Sequence, residues 1–295
     1  MIDVQNLTKS FDGFLALDGL CLHVPQGSVY GLVGPNGAGK TTLIRHLAGV
    51  YRPTSGSVTV GGLPVYENLA VKRRLAWIPD ELYCQSGDGV RDLMQLYKSV
   101  YPRFDETRYA QLKDVFGLDE KRPIRRFSKG MQKQAAFWLA MSCCPDYLIL
   151  DEPVDGLDPV MRRQVWSLLM EDVAARGMTV LVSSHNLREL EDVCDHVGIM
   201  HKGKMLLERS LDALQENIVK VQLVTEHPLP QGLNILHVQT VGRIQTLIVR
   251  GEQHEIAGKL AQCQPLLCDL LPLSLEEIFI YELGGVDYDI KNIVL

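Results

Sequence analysis

Long hydrophobic runs are missing from this sequence of 295 residues. The longest apolar stretch, residues 135–144, has about half of the roughly 20 residues that a membrane-spanning helix needs. The first residues also lack a basic region followed by an apolar core, which is the pattern of a secretory signal peptide. We therefore expect no transmembrane helix and no signal peptide, and we expect the chain to stay in the cytoplasm.

The sequence also lacks paired cysteine motifs and an excess of positive charge. Its seven cysteines are odd in number and contain no CxxC pair, which favours buried thiols in a reducing compartment over a disulfide framework or a zinc site. The net charge is −6, with 22% charged residues, so we expect no nucleic acid as the main partner.

The most informative segment that is present is residues 34–41, GPNGAGKT, which fits GxxxxGK[ST] at every fixed position. The apolar run 29–33 before it predicts a buried strand, and residues 42–48 after it predict a helix ending near Gly49. This setting favours a phosphate-binding loop over a chance match in a glycine-rich turn. Glycines let backbone N–H groups face an anion, and the helix dipole favours the same anion. The predicted nucleotide contacts are Asn36, Gly37, Gly39, Lys40, Thr41 and Thr42.

Within this segment, Lys40 is predicted to neutralise the β- and γ-phosphates. The Thr41 hydroxyl is predicted to bind Mg²⁺. ATP and Mg²⁺ are thus the expected cofactors.

A second motif is acidic. The apolar run Tyr147-Leu148-Ile149-Leu150 predicts a strand, and Asp151 and Glu152 follow it directly. Because side chains alternate along a strand, the two carboxylates can serve separate roles. Asp151 is predicted to hold Mg²⁺, through water, opposite Thr41, and Glu152 to polarise the attacking water as general base. The alternative is two solvated acids at a strand end.

The remaining pattern alternates strands and helices. We predict two strands over residues 2–24 around a turn at Asp12-Gly13, with Leu15, Leu17, Leu20 and Leu22 on the apolar face. Helical periodicity covers about 88–127, with Leu93, Leu96, Tyr97 and Val100 on one face. Further predicted strands are 56–62, 179–182, 219–224, 234–239 and 244–249, and further predicted helices are 160–176, 252–261 and one capped by Ser274 that stops at Gly284-Gly285.

Residues 127–132, Phe-Ser-Lys-Gly-Met-Gln, precede a long apolar helix and complete an ordered set of motifs. With the loop Gly156-Leu157-Asp158 and with His185 after Val182-Ser183-Ser184, the chain resembles the ATP-binding cassette (ABC) family of transporter ATP-binding subunits, of exporter type, over about residues 2–210. The resemblance implies an α/β fold, a P-loop NTPase cassette with an N-terminal antiparallel β subdomain and a helical subdomain at about 88–145. We expect a nucleotide-binding domain over 1–214 and a small α+β domain over 215–295.

The resemblance also implies roles for five further residues. Phe11 occupies the place of the aromatic that stacks on adenine, although by itself it would be read as a core residue. Ser128 and the Gly130 N–H are expected to contact the γ-phosphate of ATP bound to a second subunit. Asp158 is expected to contact the partner's phosphate-binding loop, and His185 to bond the γ-phosphate and position the water of Glu152.

Two positions depart from the family pattern. Asp80 stands where glutamine is usual; it can still meet Mg²⁺ or a water, but it adds negative charge. In the signature, Lys129 and Met131 stand where glycine and glutamine are expected, and Lys129 either adds positive charge near the phosphates or faces solvent. Cassettes of lipid, peptide and antibiotic exporters resemble this Ser-Lys-Gly-Met form, which favours export.

One cassette cannot close a site alone, so the resemblance implies a second copy of the chain or a paralogous cassette as partner. A separate integral-membrane permease is also implied, with the chain peripheral on the inner face of the cell membrane. Its docking surface is expected at residues 80–88 and 89–127, where Tyr83, Tyr97 and Tyr101 line a groove or belong to the core.

The alternative function is an ATPase of a signalling or drug-sensing membrane complex that does not transport. Chromosome-organising relatives are disfavoured because no long coiled coil fits between the motifs, and two-cassette ribosomal relatives because only one GxxxxGK[ST] occurs. The apolar residues 270–273 and 278–281 either pack within the chain or contact a second subunit.

Overall fold

The computed structural model describes residues 1–215, 218–271 and 273–282. The chain forms two compact units, one of residues 1–185 and 196–208 and the other of residues 186–195 and 209–295. The strands are β1 (Ile2–Phe11), β2 (Phe14–Val24), β3 (Val29–Val33), β4 (Ser55–Val60), β5 (Leu63–Pro64), β6 (Leu75–Ile78), β7 (Tyr147–Asp151), β8 (Thr179–Ser184), β9 (His196–His201), β10 (Lys204–Ser210), β11 (Ile218–Val224), β12 (Asn234–Val241), β13 (Ile244–Arg250) and β14 (Leu267–Leu271). The α-helices are α1 (Lys40–Leu47), α2 (Leu69–Lys72), α3 (Val90–Val100), α4 (Glu106–Phe116), α5 (Lys129–Ser142), α6 (Pro159–Arg176), α7 (Leu211–Gln215), α8 (Gln253–Leu260) and α9 (Leu275–Glu282).

The first unit begins with an antiparallel sheet of order β2-β1-β4-β5. Its β1–β2 turn lies at Asp12-Gly13, as predicted, and both residues have positive φ, 46° and 88°. Leu17, Leu20 and Leu22 are buried, but the predicted inward position of Leu15 was wrong, since it is 46% exposed. Leu15 pairs with Ser10 beside the turn, where the hairpin extends past the core.

A six-stranded sheet of order β10-β9-β3-β8-β7-β6 places the functional motifs. Strands β6, β7, β8, β3 and β9 are parallel neighbours, with Ile78 opposite Leu150, Asp151 opposite Ser183, and Val33 opposite Ser184. Their carboxyl ends therefore meet at one edge of the sheet. Ligands of open parallel sheets bind at this edge.

Helix α1 links the two sheets through one apolar core. Leu43, Ile44 and Leu47 of α1 are fully buried in a cluster that also holds residues of both sheets. The first sheet contributes Ile2 and the second Ile149, among others. Because the apolar face of α1 is fixed in this core, its N-terminus is held at the edge where the strands end.

The helical segment α3–α5 has a core of its own around Trp138. The Trp138 ring stacks on Tyr109 at 4.7 Å between centroids, and its indole N–H donates to the Tyr109 carbonyl at 2.8 Å. The predicted apolar face of α3 was wrong at two positions, since Leu96 and Val100 are exposed. Helix α3 packs mainly through its first turn, where Val90 and Leu93 are buried.

The second unit contains an antiparallel sheet of order β12-β13-β11-β14. Val221, Leu247, Ile256 and Leu260 lie in its core, the last two from α8. The predicted capping box at α9 is present: the Ser274 N–H donates to Glu277 Oε2 at 3.0 Å, and the Glu277 N–H donates to Ser274 Oγ at 3.2 Å. The predicted stop at Gly284-Gly285 lies outside the described residues.

Within the described part of the chain, every helix is too short or too polar to cross a bilayer.

Candidate nucleotide-binding site

The phosphate-binding loop connects β3 to α1 as the motif predicts. Gly37 and Gly39 have φ of 81° and 105°, a left-handed region that residues with a Cβ rarely adopt. Gly34 has no such torsion, but a Cβ there would lie 2.4 Å from the Met200 carbonyl oxygen. Glycine is therefore favoured at positions 37 and 39 by the backbone torsion and at position 34 by lack of space, and the loop can bring its N–H groups close to an anion.

A cavity of about 340 Å³, called the phosphate cavity below, opens at this loop. Its wall consists of Phe14, Ala16, Pro35, Asn36, Gly37, Gly39, Lys40, Thr41, Thr42, Asp80 and Glu152. All six residues predicted from the motif to bind nucleotide are on this wall, and so are two acidic residues from elsewhere in the sequence. The donor set of backbone N–H groups, a lysine and hydroxyls suits a polyphosphate.

Asp151 lies at the end of β7, next to Thr41. The Thr41 hydroxyl donates to Asp151 Oδ1 at 3.3 Å, and the Ser183 hydroxyl donates to the same oxygen at 2.8 Å. Burial raises the pKa of Asp151, although these two hydrogen bonds lower it, and the nearby Glu152 charge raises it further. One buried carboxylate beside a hydroxyl is a partial ligand set that fits Mg²⁺, which usually takes its other ligands from substrate phosphates and water.

Glu152 follows in a strained backbone conformation, with φ of 46°. Its carboxylate lies between two cationic or titratable groups: Oε1 is 3.2 Å from Lys40 Nζ, and Oε2 is 2.8 Å from His185 Nδ1. The Glu152 N–H donates to Ser183 Oγ at 3.1 Å, which fixes the residue beside Asp151. The strain thus coincides with a carboxylate directed at the cavity, as is common at functional sites.

Asp80 follows β6 and meets two lysines of α5. Asp80 Oδ1 is 3.3 Å from Lys133 Nζ and 3.7 Å from Lys129 Nζ. Lys129 is half-exposed and also pairs with Asp155 Oδ2 at 2.5 Å. The sequence left two alternatives for Lys129: a positive charge near the phosphates or a side chain that faces solvent. Within this chain the arrangement is a third one, in which the Lys129 ammonium pairs with carboxylates.

The signature residues lie elsewhere. Ser128 caps α5, with its hydroxyl accepting from the Met131 N–H at 3.3 Å, and a Cβ on Gly130 would lie 2.4 Å from the Gly156 carbonyl oxygen. Asp158 caps α6 by accepting from the Val160 and Met161 N–H groups, both at 3.0 Å. The described wall of the phosphate cavity includes none of Ser128, Gly130 and Asp158.

The aromatic residue on the cavity wall is Phe14, which the sequence did not single out. The predicted adenine-stacking residue, Phe11, is not on the wall; its ring meets Tyr51 edge-on at 5.4 Å, with Lys9 Nζ 5.0 Å above it. Phe11 is 38% exposed, so it is not a core residue either.

Sequence reasoning also missed Ser183 and Lys133 as site residues. Ser183 contacts both motif acids, and a hydroxyl at the end of an apolar strand next to the acidic strand was an available signal. Lys133 was harder to find, because only its burial in the folded α5 shows that it faces inward.

Known proteins match this chain in sequence. A family model described as ABC transporter matches residues 17–155. The ABC transporter ATP-binding protein YtrB of Bacillus subtilis (strain 168) is 29% identical over 288 residues, 97% of this chain and 99% of that protein. The bacitracin transport ATP-binding protein BcrA of Bacillus licheniformis is 35% identical, over 73% of this chain and 72% of that protein. The daunorubicin/doxorubicin resistance ATP-binding protein DrrA of Streptomyces peucetius is 36% identical, over 74% and 67%.

Solved structures match nearly three quarters of this chain in fold. The structure of an ATP-binding subunit of an ABC transporter has a TM-score of 0.68 and 27% identity, covering 73% of this chain and 92% of that chain. A dimeric ATP-binding cassette in a post-hydrolysis state, bound to ADP and Pi, has a TM-score of 0.64 at 19% identity, covering 72% and 99%. The second likeness concerns the fold alone.

Proposed function

The chain belongs to the ABC transporter family, and from this premise we propose that it is an ATP-hydrolysing subunit that powers a separate membrane permease, in the direction of export. The observation that carries the proposal is that Lys40, Thr41 and Glu152 line one cavity, with Asp151 bonded to Thr41 beside it. These four groups come from two motifs that are far apart in sequence. Together they provide the charge and the hydrogen-bonding groups that phosphoryl transfer to water needs.

Each group has a proposed role at the phosphates. Lys40 binds the β- and γ-phosphate oxygens, exchanging its contact with Glu152 Oε1 for them. Thr41 and Asp151 hold Mg²⁺, which supplies neutralisation of phosphate charge when it is bound. Glu152 orients a water and accepts its proton, and His185, 2.8 Å from Glu152, positions that carboxylate and contacts the γ-phosphate.

The nucleotide site is proposed to be completed by a second copy of the chain or by a paralogous cassette. Ser128 and Gly130 of one subunit are assigned to the γ-phosphate held by the other, and Asp158 to its phosphate-binding loop. Their positions away from the cavity wall of their own chain support this assignment. ATP then joins the two subunits, and hydrolysis releases them.

Export is supported by the relatives' names and by the Ser-Lys-Gly-Met signature. Bacitracin transport and daunorubicin/doxorubicin resistance are the functions in those names. We infer that the cargo is an antibiotic or a drug of the kind in these names. We also infer that the chain is attached to the permease at the inner face of the membrane. Tyr83, which is 88% exposed, belongs to the proposed docking surface. Tyr97 and Tyr101 instead stack on each other at 5.7 Å and are half-buried.

The shared-site proposal is tested by measuring ATP hydrolysis per molecule as the concentration of purified chain rises. We expect the specific rate to rise with concentration, because each closed site needs two subunits. A full rate that is independent of concentration, measured in a monomer, would overturn the proposal of a shared site.

Transport is tested by reconstituting the chain in vesicles with a candidate membrane subunit. ATP-dependent efflux of a bacitracin-like peptide or an anthracycline supports export. Ligand-dependent stimulation of ATPase activity without flux of any candidate solute contradicts it and indicates a sensing complex.

A further inference from the structure

Asp80 lies on the walls of two cavities. One is the phosphate cavity, and the other, of about 290 Å³, is lined by Pro79, Asp80, Glu81, Leu82, Lys129, Gln132, Lys133 and Ala136. The Asp80 carboxylate thus contacts both lysines of α5 while its residue borders the space assigned to the phosphates. A change in the charge or orientation of the Asp80 carboxylate therefore affects both the two lysines and the phosphate cavity.

Lys133 is the principal partner of Asp80. Its side chain is 2% exposed, and its ammonium reaches three acceptors: Asp80 Oδ1, the Pro79 carbonyl and the Asp151 carbonyl, at 3.3, 3.2 and 3.3 Å. Three donors of one ammonium therefore have three partners. Burial lowers the pKa of Lys133, and the Asp80 carboxylate acts against this effect by favouring the charged form.

Lys129 is a weaker partner of Asp80. Its ammonium is half-exposed, lies farther away at 3.7 Å and is shared with Asp155. Exposed ion pairs contribute little because solvent screens them. The charge of Asp80 is therefore balanced mainly by the buried Lys133.

The balance matters because acidic groups already surround the phosphate cavity. Of the described residues on its wall, Lys40 is the one cation, while Asp80 and Glu152 are both acids, and Asp151 lies directly beside Thr41. Without a partner, the half-exposed Asp80 carboxylate would repel the phosphates of ATP in this cavity, and solvent would reduce this repulsion without removing it.

We propose that Lys133 is a positioning residue for ATP binding: it neutralises Asp80 and fixes its carboxylate, so that an aspartate–lysine ion pair replaces the neutral glutamine usual at this place. The pair has no net charge, which preserves the balance that a neutral side chain would give. Through the Asp151 carbonyl, Lys133 also ties this pair to the strand that carries the metal ligand and the base. The inference rests on the proposed function, since it assigns ATP to this cavity.

A merely structural role for Lys133 is the competing explanation, because its bonds to the Pro79 and Asp151 carbonyls connect the ends of β6 and β7. The two explanations predict different effects of removing the Asp80 charge. If Lys133 only connects strands, removing the Asp80 charge cannot restore what the loss of Lys133 removes. If it balances Asp80, removing both charges restores nucleotide affinity.

The test is a double-mutant cycle of Lys133→Gln and Asp80→Asn, with the dissociation constant of ATP measured by equilibrium titration, with and without Mg²⁺. We expect Lys133→Gln to weaken Mg²⁺-free ATP binding roughly tenfold and Asp80→Asn to tighten it by a similar factor, because each change leaves one charge beside the phosphate cavity without its partner. The double variant should bind within about threefold of the unmodified chain, because both charges of the Asp80–Lys133 pair are removed together and the net charge beside the phosphates is unchanged.

Lys259→Gln is the control. Lys259 lies in α8, its ammonium donates to the Gly232 carbonyl at 3.0 Å, and neither residue lines either cavity. It should leave ATP affinity unchanged. Thermal unfolding of all variants separates a loss of fold from a loss of binding.

Equal weakening in Lys133→Gln and in the double variant overturns the inference and leaves a structural role. If Lys133→Gln does not fold, Asp80→Asn decides: tighter Mg²⁺-free binding supports the charge balance, and unchanged binding refutes it. Absence of ATP binding by the unmodified chain is a different result, which refutes the proposed function itself.

Discussion

Lys40 Nζ lies 3.2 Å from Glu152 Oε1, and the other Glu152 oxygen lies 2.8 Å from His185 Nδ1. The Lys40 ammonium also donates to the Gly34 carbonyl at 2.6 Å and is almost fully buried. One carboxylate thus contacts both Lys40, which is assigned to the β- and γ-phosphates, and His185, which is assigned to position this carboxylate and to contact the γ-phosphate. Under the proposed roles, phosphate oxygens would compete with Glu152 for Lys40, which would link ATP binding to the release of the base.

The first prediction is that Glu152→Gln abolishes turnover but not ATP binding. Loss of a general base lowers catalysis by roughly 10²- to 10⁴-fold. ATP affinity should be equal or higher, because Lys40 loses a competing anion. We expect kcat to fall while an ATP-bound dimer accumulates, as measured by phosphate release and by light scattering with ATP.

Glu171→Gln is the control for this change, since Glu171 is an exposed carboxylate of α6. It should hydrolyse ATP at the original rate. Ordinary turnover by Glu152→Gln would refute the assignment of Glu152 as base.

The second prediction concerns two helical glycines. A Cβ on Gly130 would lie 2.4 Å from the Gly156 carbonyl oxygen, whereas one on Gly258 meets nothing within 4 Å. Gly130→Ala should therefore displace the loop before Asp158, cost about 1–3 kcal/mol of stability, as overpacking does, and lower ATPase activity. Gly258→Ala should stabilise by about 0.5–1 kcal/mol, because alanine favours a helix over glycine.

Calorimetric unfolding and ATP hydrolysis rates measure both variants. Equal effects of the two substitutions on stability would show that the Gly130–Gly156 contact does not constrain the signature helix.

Much of the site was predictable because its motifs are local. The strand, loop and helix over 29–48 follow from short-range pattern and glycine chemistry, and the acidic strand end follows from one apolar run. Parallel strands then necessarily bring their carboxyl ends to one edge. This is why Thr41 and Asp151, which are distant in sequence, could be assigned to one ion before the structure was known.

What sequence could not give depends on packing between distant elements. The three acceptors of Lys133 come from two strand ends that α5 meets only in the fold. Phe14 lies on the cavity wall because of how the β1–β2 hairpin is placed, not because of any motif. Periodicity likewise predicted an inward Leu96, but a helix that packs by its first turn leaves later apolar positions exposed.

The third prediction follows from the raised pKa of Asp151. Because burial raises this pKa above its ordinary value of 3.8, the folded protein binds the proton more tightly than the unfolded chain. Stability therefore falls as pH rises from near 3.8 through the raised pKa, and this loss remains at neutral pH. Asp151→Asn keeps an oxygen that can accept from Thr41 and Ser183, so without Mg²⁺ it should be more stable than the unmodified chain at pH 7.

Thermal unfolding from pH 4 to pH 8 measures this difference, which should shrink toward the acidic end. With ATP present, Mg²⁺ should raise the unfolding temperature of the unmodified chain but not that of Asp151→Asn. A variant that is less stable at pH 7 without Mg²⁺ would contradict the assigned cost of burying this charge.

The last prediction separates capping from contact with a partner at Asp158. Asp158 and Asp105 have the same local role: each begins a helix and accepts two backbone N–H bonds, at 3.0 and 3.0 Å for Asp158 and at 2.8 and 3.0 Å for Asp105. Substituting either by alanine should cost about 1 kcal/mol of stability through loss of the cap. Asp158→Ala alone should also reduce the concentration-dependent ATPase rate, because Asp158 is assigned to the partner's phosphate-binding loop. ATPase rates measured well below the unfolding temperature distinguish loss of the helix cap from loss of the contact with the partner. An equal ATPase rate in the two variants would mean that Asp158 acts only as a helix cap.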